Sequence, residues 1–406
     1  MIYGNILPVR PSINIALLSS SIPHHQHQSV SVQLVTSFLC LASHIFPFSA
    51  SITLIMSPHS DVRSTDDYSS FAVQRPYYDH YETSSVDSRD IGLNGRPLLP
   101  GIHVPTVVFF DENEDLDEET IAMHAVRLAK DGVAGLVVQG SNGEAVHLTH
   151  QERNRVTAVT RKALNDAGFA DMPVMVGCAS ESIRGTITLT IEAKENGGDY
   201  ALILPPSYYK GLFNKDTVLN FYRAVADKSP IPILIYNYPG AVSGMDLNSD
   251  AIIELAQHPN IVGCKLTCGN TGKLARIAAA TRATTPEEPG SGFMCMGGSA
   301  DFTLQALVTG GSGIIGGFAN IAPKACVTIV KLVEEGKYVE ARKLQALVAR
   351  GDWAAIQGGL VGTKAGLMQH FGYGGYARSP LPRPTKEENR QWKEAFDEVV
   401  QVEKAL

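Results

Sequence analysis

The chain has 406 residues, with 34 Lys and Arg against 41 Asp and Glu and a formal net charge of −7 at pH 7. That length suits one large α/β barrel with additions or two average domains, and the acidic balance leaves no basic surplus for nucleic acid or an anionic lipid surface. The six cysteines (Cys40, Cys178, Cys264, Cys268, Cys295 and Cys326) are scattered through apolar segments of a chain too long to need a disulfide framework, so reduced thiols and a small-molecule partner are expected.

Residues 1–60 contain no Asp, Glu or Lys and a single Arg10, whereas 61–97 are rich in Ser, Asp, Tyr and Arg with no apolar period. This reads as an unpacked leader and a polar linker over residues 1–97. The stretch 32–56 is apolar, but Ser, Thr, His44 and Pro47 interrupt it and no basic flank orients it, so membrane attachment is not favoured. A mitochondrial presequence would carry several arginines, and a secretory signal a basic start. The cytoplasm is the first expectation for location and the mitochondrion the second; Met56 is a plausible internal start.

From Leu98 the texture becomes alternation. Short apolar runs recur at 101–110, 133–140, 172–177, 200–206, 231–239, 261–267, 292–296 and 311–317, and helix-period segments such as 117–131, 150–166, 182–196, 248–257 and 300–309 lie between them. Eight strands each followed by a helix predict a parallel (β/α)8 TIM barrel, an α/β fold, over 98–321. A doubly wound open sheet would need a glycine-rich dinucleotide turn after its first strand, and none is present. The tail 322–406 is helical in pattern, breaks at "FGYGGYARSPLPRP" (371–384), and is expected as an extra helical block behind the barrel.

Chemistry in such a barrel sits at the C-terminal ends of the strands. The sixth run, "IVGCKLTCGN" (261–270), places Lys265 in an apolar strand. A lysine inside a core either finds a carboxylate, reaches solvent, or gives up its proton and becomes a nucleophile toward a ketone. The second run ends in "GSNGE" (140–144), where Ser141, Asn142 and free backbone amides could hold a carboxylate; the ordinary reading is a plain turn. The fifth ends in "YNYPG" (236–240), where the Tyr236 hydroxyl could shuttle protons or Tyr236 could simply be a core aromatic. The fourth ends in "PPSYYKG" (205–211). Cys264 and Cys268 are wrongly spaced for a zinc site, and no metal is expected.

Taken together and in this order, "GSNGE", "YNYPG", "GCK" and the later "GGFANIAP" (316–323) make the stretch from about Leu98 to Pro384 resemble the dihydrodipicolinate synthase and N-acetylneuraminate lyase family of class I, Schiff-base aldolases. The resemblance implies a homotetrameric barrel that joins pyruvate to an aldehyde or reverses that reaction, without a cofactor. It implies that Lys265 forms the imine with pyruvate and that Tyr236 moves protons on and off the adduct. Ser141 and Asn142 match the turn that grips the pyruvate carboxylate, with Ser141 also linking Tyr236 to a second tyrosine lent by a neighbouring subunit, here matched to Tyr208. Gly298 and Ile315 match positions that shape the pocket floor.

One departure narrows the substrate. Members that make dihydrodipicolinate carry an arginine where this chain has Ala241, and alanine cannot pair with the carboxylate of aspartate semialdehyde. The strings "VVQGSNGE" (137–144), "QHPNIVG" (257–263) and "FGYGG" (371–375) look closer to 4-hydroxy-2-oxoglutarate aldolases and 2-keto-3-deoxy-hexonate aldolases, and "GSNGEAVHL" (140–148) leans toward the second.

Overall fold

Strands that are apolar on both faces must be covered on both faces, which a parallel sheet achieves by closing on itself and surrounding itself with its own crossover helices. In the computed structural model, which describes residues 96–406, the eight runs do this. The strands are β1 (Gly101–Pro105), β2 (Gly135–Val138), β3 (Val174–Gly177), β4 (Tyr200–Ile203), β5 (Ile233–Asn237), β6 (Ile261–Leu266), β7 (Met294–Gly297) and β8 (Gly313–Ile315), each pairing in parallel with the next, and β8 with β1.

The ring helices are α1 (Glu118–Lys130), α2 (His150–Asp166), α3 (Ile183–Glu195), α4 (Lys215–Ala226), α5 (Ser249–Leu255), α6 (Thr271–Thr281), α7 (Thr303–Val308) and α8 (Pro323–Glu334). Six of them begin at a polar side chain that accepts a hydrogen bond from the first turn: Asp117, Thr149, Ser182, Asn214, Asn248 and Asn270. Such caps satisfy backbone donors that a helix start leaves unpaired, so they fix where each loop after a strand ends. The helix α8 packs on β1 and α7, so the stretch 322–406 opens with the last helix of the ring.

Two sets of side chains divide the core. Ile233, Ile235, Ile261, Cys264 and Leu266 belong to the layer between strands and helices, while Leu234, Tyr236, Val262, Met294, Met296 and Ile315 fill the barrel interior. Strict alternation from Ile261 would send Lys265 outward with it. A β-bulge prevents this: Ile233 pairs with Ile261 but Leu234 already pairs with Gly263, so β6 has gained one residue and Lys265 comes level with Tyr236 on β5 and Met296 on β7.

Of the C-terminal helices α9 (Tyr338–Phe371) and α10 (Lys386–Ala405), the first differs in placement from the expectation. Helix α9 does not lie behind the barrel. Asp352, Ala355, Ile356 and Thr363 of α9 share a cavity wall with Lys265, so α9 crosses the mouth at the C-terminal ends of the strands. Within α9, Gly359 (φ 55°, ψ −151°) takes a conformation open mainly to glycine and breaks the helix where it meets the cavity. The residues 1–97 expected as leader and linker, including the apolar 32–56, lie almost wholly outside the described residues. Among the described residues no helix is long and apolar enough to cross a membrane.

A buried ion pair fastens α9 to the barrel. Lys364 Nζ donates to Glu144 Oε1 at 2.7 Å and to the Tyr376 carbonyl at 2.8 Å, while Glu144 Oε2 accepts from the Arg378 backbone N–H at 2.9 Å. Glu144 and Lys364 side chains are 0% and 1% exposed, and Glu144 sits at φ 50°, a left-handed conformation that costs a residue with a Cβ. Removing one partner leaves the other charged and buried, so Lys364→Met should cost about 3–5 kcal/mol of unfolding free energy. Urea denaturation checks this; a loss below about 1 kcal/mol would show that the pair is not the fastening.

Candidate active site

Strand ends and α9 enclose a cavity of about 390 Å³ whose wall includes Ser141, Asn142, Tyr236, Lys265 and Gly298. The bulge on β6 delivers the amine to it. Lys265 is 5% exposed and its Nζ lies 4.2 Å from the centre of the Tyr236 ring. The other buried lysines each reach a carboxylate, Lys273 that of Asp246 and Lys364 that of Glu144. Lys265 has no such partner among the described residues. Tyr236 is 4% exposed and stacks on Tyr238 at 5.7 Å and 20°; Tyr238, on the same wall, has its hydroxyl pKa raised by burial and then by Tyr236.

The "GSNGE" turn bends back on itself, with the Glu144 N–H on the Ser141 carbonyl at 3.3 Å and the Ala145 N–H on that of Gly140 at 3.4 Å. The backbone amides of Ser141 and Asn142, both residues of the cavity wall, find no acceptor among the described residues, which leaves them free to donate to an anion. Asn142 Nδ2 lies 3.5 Å from the Pro105 carbonyl. The close approach of β6 and β7 explains Gly298: a Cβ there would stand 2.1 Å from Thr267 Oγ1 and 2.4 Å from Thr267 Cα.

Two residues expected in the site stand apart from the cavity wall. Ile315 is fully buried in the barrel interior, in the same cluster as Tyr236. Tyr208 is 78% exposed on the loop after β4, edge-to-face with Tyr209 at 4.9 Å, and the backbone N–H groups of Ser207 and Tyr208 donate to Glu181 Oε2. Within one copy of the chain Tyr208 is not part of the cavity.

Other wall residues were not singled out in the sequence: Thr267 just past β6, Ser299 and Asp301 just past β7, and Asp352 from α9. The run "GGSAD" closes the seventh strand and carries the same strand-end signal as the others; Asp352 carries none. Ser299 Oγ donates to Asp352 Oδ2 at 2.5 Å and the Asp301 N–H donates to the same oxygen at 2.8 Å. Burial pushes the Asp352 carboxyl from an ordinary 3.8 up to about 6, against the Ser299 hydrogen bond and with the Asp301 charge adding to the rise. Among the described residues no group of three His, Cys, Asp or Glu could hold a metal ion.

The cavity, the barrel and the strand-end motifs define a family. Residues 98–399 match the model of the dihydrodipicolinate synthetase family, and the chain belongs to it. It is 55% identical over 314 residues to "Probable 4-hydroxy-2-oxoglutarate aldolase, mitochondrial" of Emericella nidulans, covering 77% of this chain and 99% of that one. It is 52% identical over 312 residues to the L-threo-3-deoxy-hexylosonate aldolase of Hypocrea jecorina, covering 76% and 99%. A solved structure from Coccidioides immitis, of the dihydrodipicolinate synthase family, superposes with a TM-score of 0.68 at 33% identity over 77% of this chain and 99% of that one.

The raised Asp352 carboxyl has a consequence for stability. Between 3.8 and about 6 the folded protein holds a proton that the unfolded chain has released, so stability falls as pH rises through that window and stays lower above it. Asp352→Asn keeps an acceptor for Ser299 and removes the titration, so it should raise the unfolding free energy at pH 8 by about 1–3 kcal/mol and change it little at pH 4. Denaturant unfolding at both pH values checks this, and a loss of stability at pH 8 would contradict it.

Proposed function

We propose that this chain is a class I, pyruvate-dependent aldolase that cleaves a 2-keto-4-hydroxy acid to pyruvate and an aldehyde. The observation that carries the reading is Lys265, nine-tenths buried in the barrel mouth beside Tyr236 with no carboxylate to hold it as a spectator cation. The names of the two aldolase relatives support it.

In this reading the unprotonated Lys265 amine adds to the C2 carbonyl of the substrate, and loss of water gives an imine. Tyr236, left as a phenolate once it has protonated the hydroxyl that departs as water, takes the proton of the C4 hydroxyl while the iminium carbon draws the electron pair of the breaking C3–C4 bond, so the aldehyde leaves and an enamine remains. Proton return to C3 and hydrolysis of the imine release pyruvate and restore the amine. Ser141, Asn142 and the free amides of the turn hold the substrate carboxylate, which orients C2 toward Lys265. Gly298 and Ile315 leave room for the adduct and support Tyr236.

Tyr208, exposed in one copy, would complete the proton path of another. Val146 after β2 and Leu212 and Tyr208 after β4 are 94%, 81% and 78% exposed, apolar side chains of the kind a second copy would cover. We read this as the homotetramer expected from the family. The dihydrodipicolinate reaction is disfavoured, because Ala241 stands exposed in the turn after β5 and no arginine among the described residues lines the cavity. The word "mitochondrial" in the name of the Emericella nidulans relative favours the mitochondrion over the cytoplasm as the address.

The test is pyruvate release in a lactate dehydrogenase-coupled assay. Lys265→Ala should lose at least about three orders of magnitude in kcat, and Tyr236→Phe about two to four, with circular dichroism unchanged. Retained turnover in folded Lys265→Ala would exclude the mechanism.

A further inference from the structure

Two strings of the sequence, "GGFANIAP" (316–323) and "FGYGG" (371–375), have no part in the proposed chemistry. The fold brings one residue of each together, Asn320 and Tyr373, with His124 of α1 between them. Resting on the aldolase reading, we propose that Tyr373, His124 and Asn320 form a one-way chain of hydrogen bonds that seats the Asn142 side chain, and that Asn320 is thereby a positioning residue for the grip on the substrate carboxylate.

Asn320 is fully buried, and its side chain ties the end of β1 to the turn after β8. Nδ2 donates to the Pro105 carbonyl at 3.0 Å and to the Gly317 carbonyl at 2.7 Å, and Oδ1 accepts from the Val107 N–H at 3.1 Å. Pro105, Gly317 and Asn142 all stand on the cavity wall. Asn142 Nδ2 lies 3.5 Å from the same Pro105 carbonyl, and a Cβ on Gly317 would stand 2.3 Å from that nitrogen. The Asn142 side chain therefore sits between two backbone segments whose spacing one buried amide fixes.

The backbone also sets the direction of the chain. Carbonyls only accept and the Val107 N–H only donates, so the Asn320 amide has a single orientation, with Oδ1 toward His124. His124 Nε2 lies 3.0 Å from that oxygen and must carry the ring proton. His124 is buried, and burial lowers its pKa from an ordinary 6.5 to about 3 against the Asn320 hydrogen bond, so the ring is neutral and Nδ1 is a bare acceptor.

The Tyr373 hydroxyl donates to Nδ1 at 2.8 Å, and Arg127 donates to the Tyr373 oxygen at 2.6 Å and to the Asn320 and Ile321 carbonyls at 3.2 and 3.0 Å. Each polar atom of the three side chains is thus paired, and a fully paired network leaves Asn320 no freedom to turn. Tyr373 follows directly on α9, so the helix that closes the cavity and the turn that grips the carboxylate share one set of hydrogen bonds.

The experiment is borohydride trapping of labelled pyruvate on the full-length protein, read as the concentration for half-maximal label and the label per chain at saturation. Asn320→Asp keeps the shape of the side chain but sets an oxygen against two carbonyls. It should raise the half-maximal concentration about ten- to a hundredfold and leave the label at saturation unchanged, a split that mere loss of structure would not give. His124→Leu and Tyr373→Phe should raise the same concentration about two- to tenfold, and His124→Gln, whose amide nitrogen can take the place of Nε2–H, should recover most of the His124→Leu loss. An unshifted midpoint in folded Asn320→Asp would overturn the proposal, as would one in Tyr373→Phe, which keeps the ring and stands in if the first variant does not fold. A lower label at saturation without a shift, or no recovery in His124→Gln, would overturn it too. Absence of label on the wild type at any pyruvate concentration would bring down the aldolase reading and this chain with it, whereas label with unshifted midpoints in the variants would bring down the chain only.

Discussion

An amine held inside an apolar barrel with no counter-ion among the described residues is the constraint on which the site depends. Desolvation makes a buried lysine costly, and proteins usually meet that cost with a carboxylate, as this chain does at Lys273 and Lys364. At Lys265 the neighbours are instead the face of Tyr236 and the barrel interior. A paired lysine would stay a cation; an unpaired one beside a proton donor is suited to add to a carbonyl.

That placement is achieved by the bulge on β6 and a cover. Because Ile233 faces Ile261 and Leu234 faces Gly263, the extra residue turns Lys265 from the helix-facing layer into the interior. Gly263 belongs to the same device: a Cβ there would stand 2.6 Å from the Met294 carbonyl oxygen, so the tight passage between β5 and β7 admits only glycine. The cover is α9, held down by the Glu144–Lys364 pair. "GSNGE" therefore has two ends with two duties: its free amides face the cavity, while its glutamate fastens the helix that closes it. This ties the shape of the cavity to the fold's deepest ion pair.

Much of this was legible in the sequence because the residues concerned are local. Strand ends are marked by apolar runs that stop, and chemistry collects at strand ends in a parallel barrel, so Lys265, Tyr236, Ser141 and Asn142 could be picked out; Gly298 came only with the family resemblance, and all five are found on one wall. The order of the strand-end motifs carried the family. What was not legible depends on distance or on register. Val262 looks like any strand residue, so nothing announced the bulge. Asp352 lies in a helix whose place over the mouth is set by Lys364 and Gly359 acting across the fold, and the tail was accordingly expected behind the barrel. Tyr208 could be matched by motif, and within one copy of the chain it is exposed and off the cavity wall.

The central claim is that Lys265 forms a covalent imine with pyruvate, and the most direct measurement is borohydride reduction of the protein in the presence of labelled pyruvate, followed by proteolysis and mass spectrometry of the peptide spanning β6. The account predicts one modified residue, Lys265, and none in Lys265→Ala. Label on another lysine, or none on a protein that still cleaves its substrate, would contradict it.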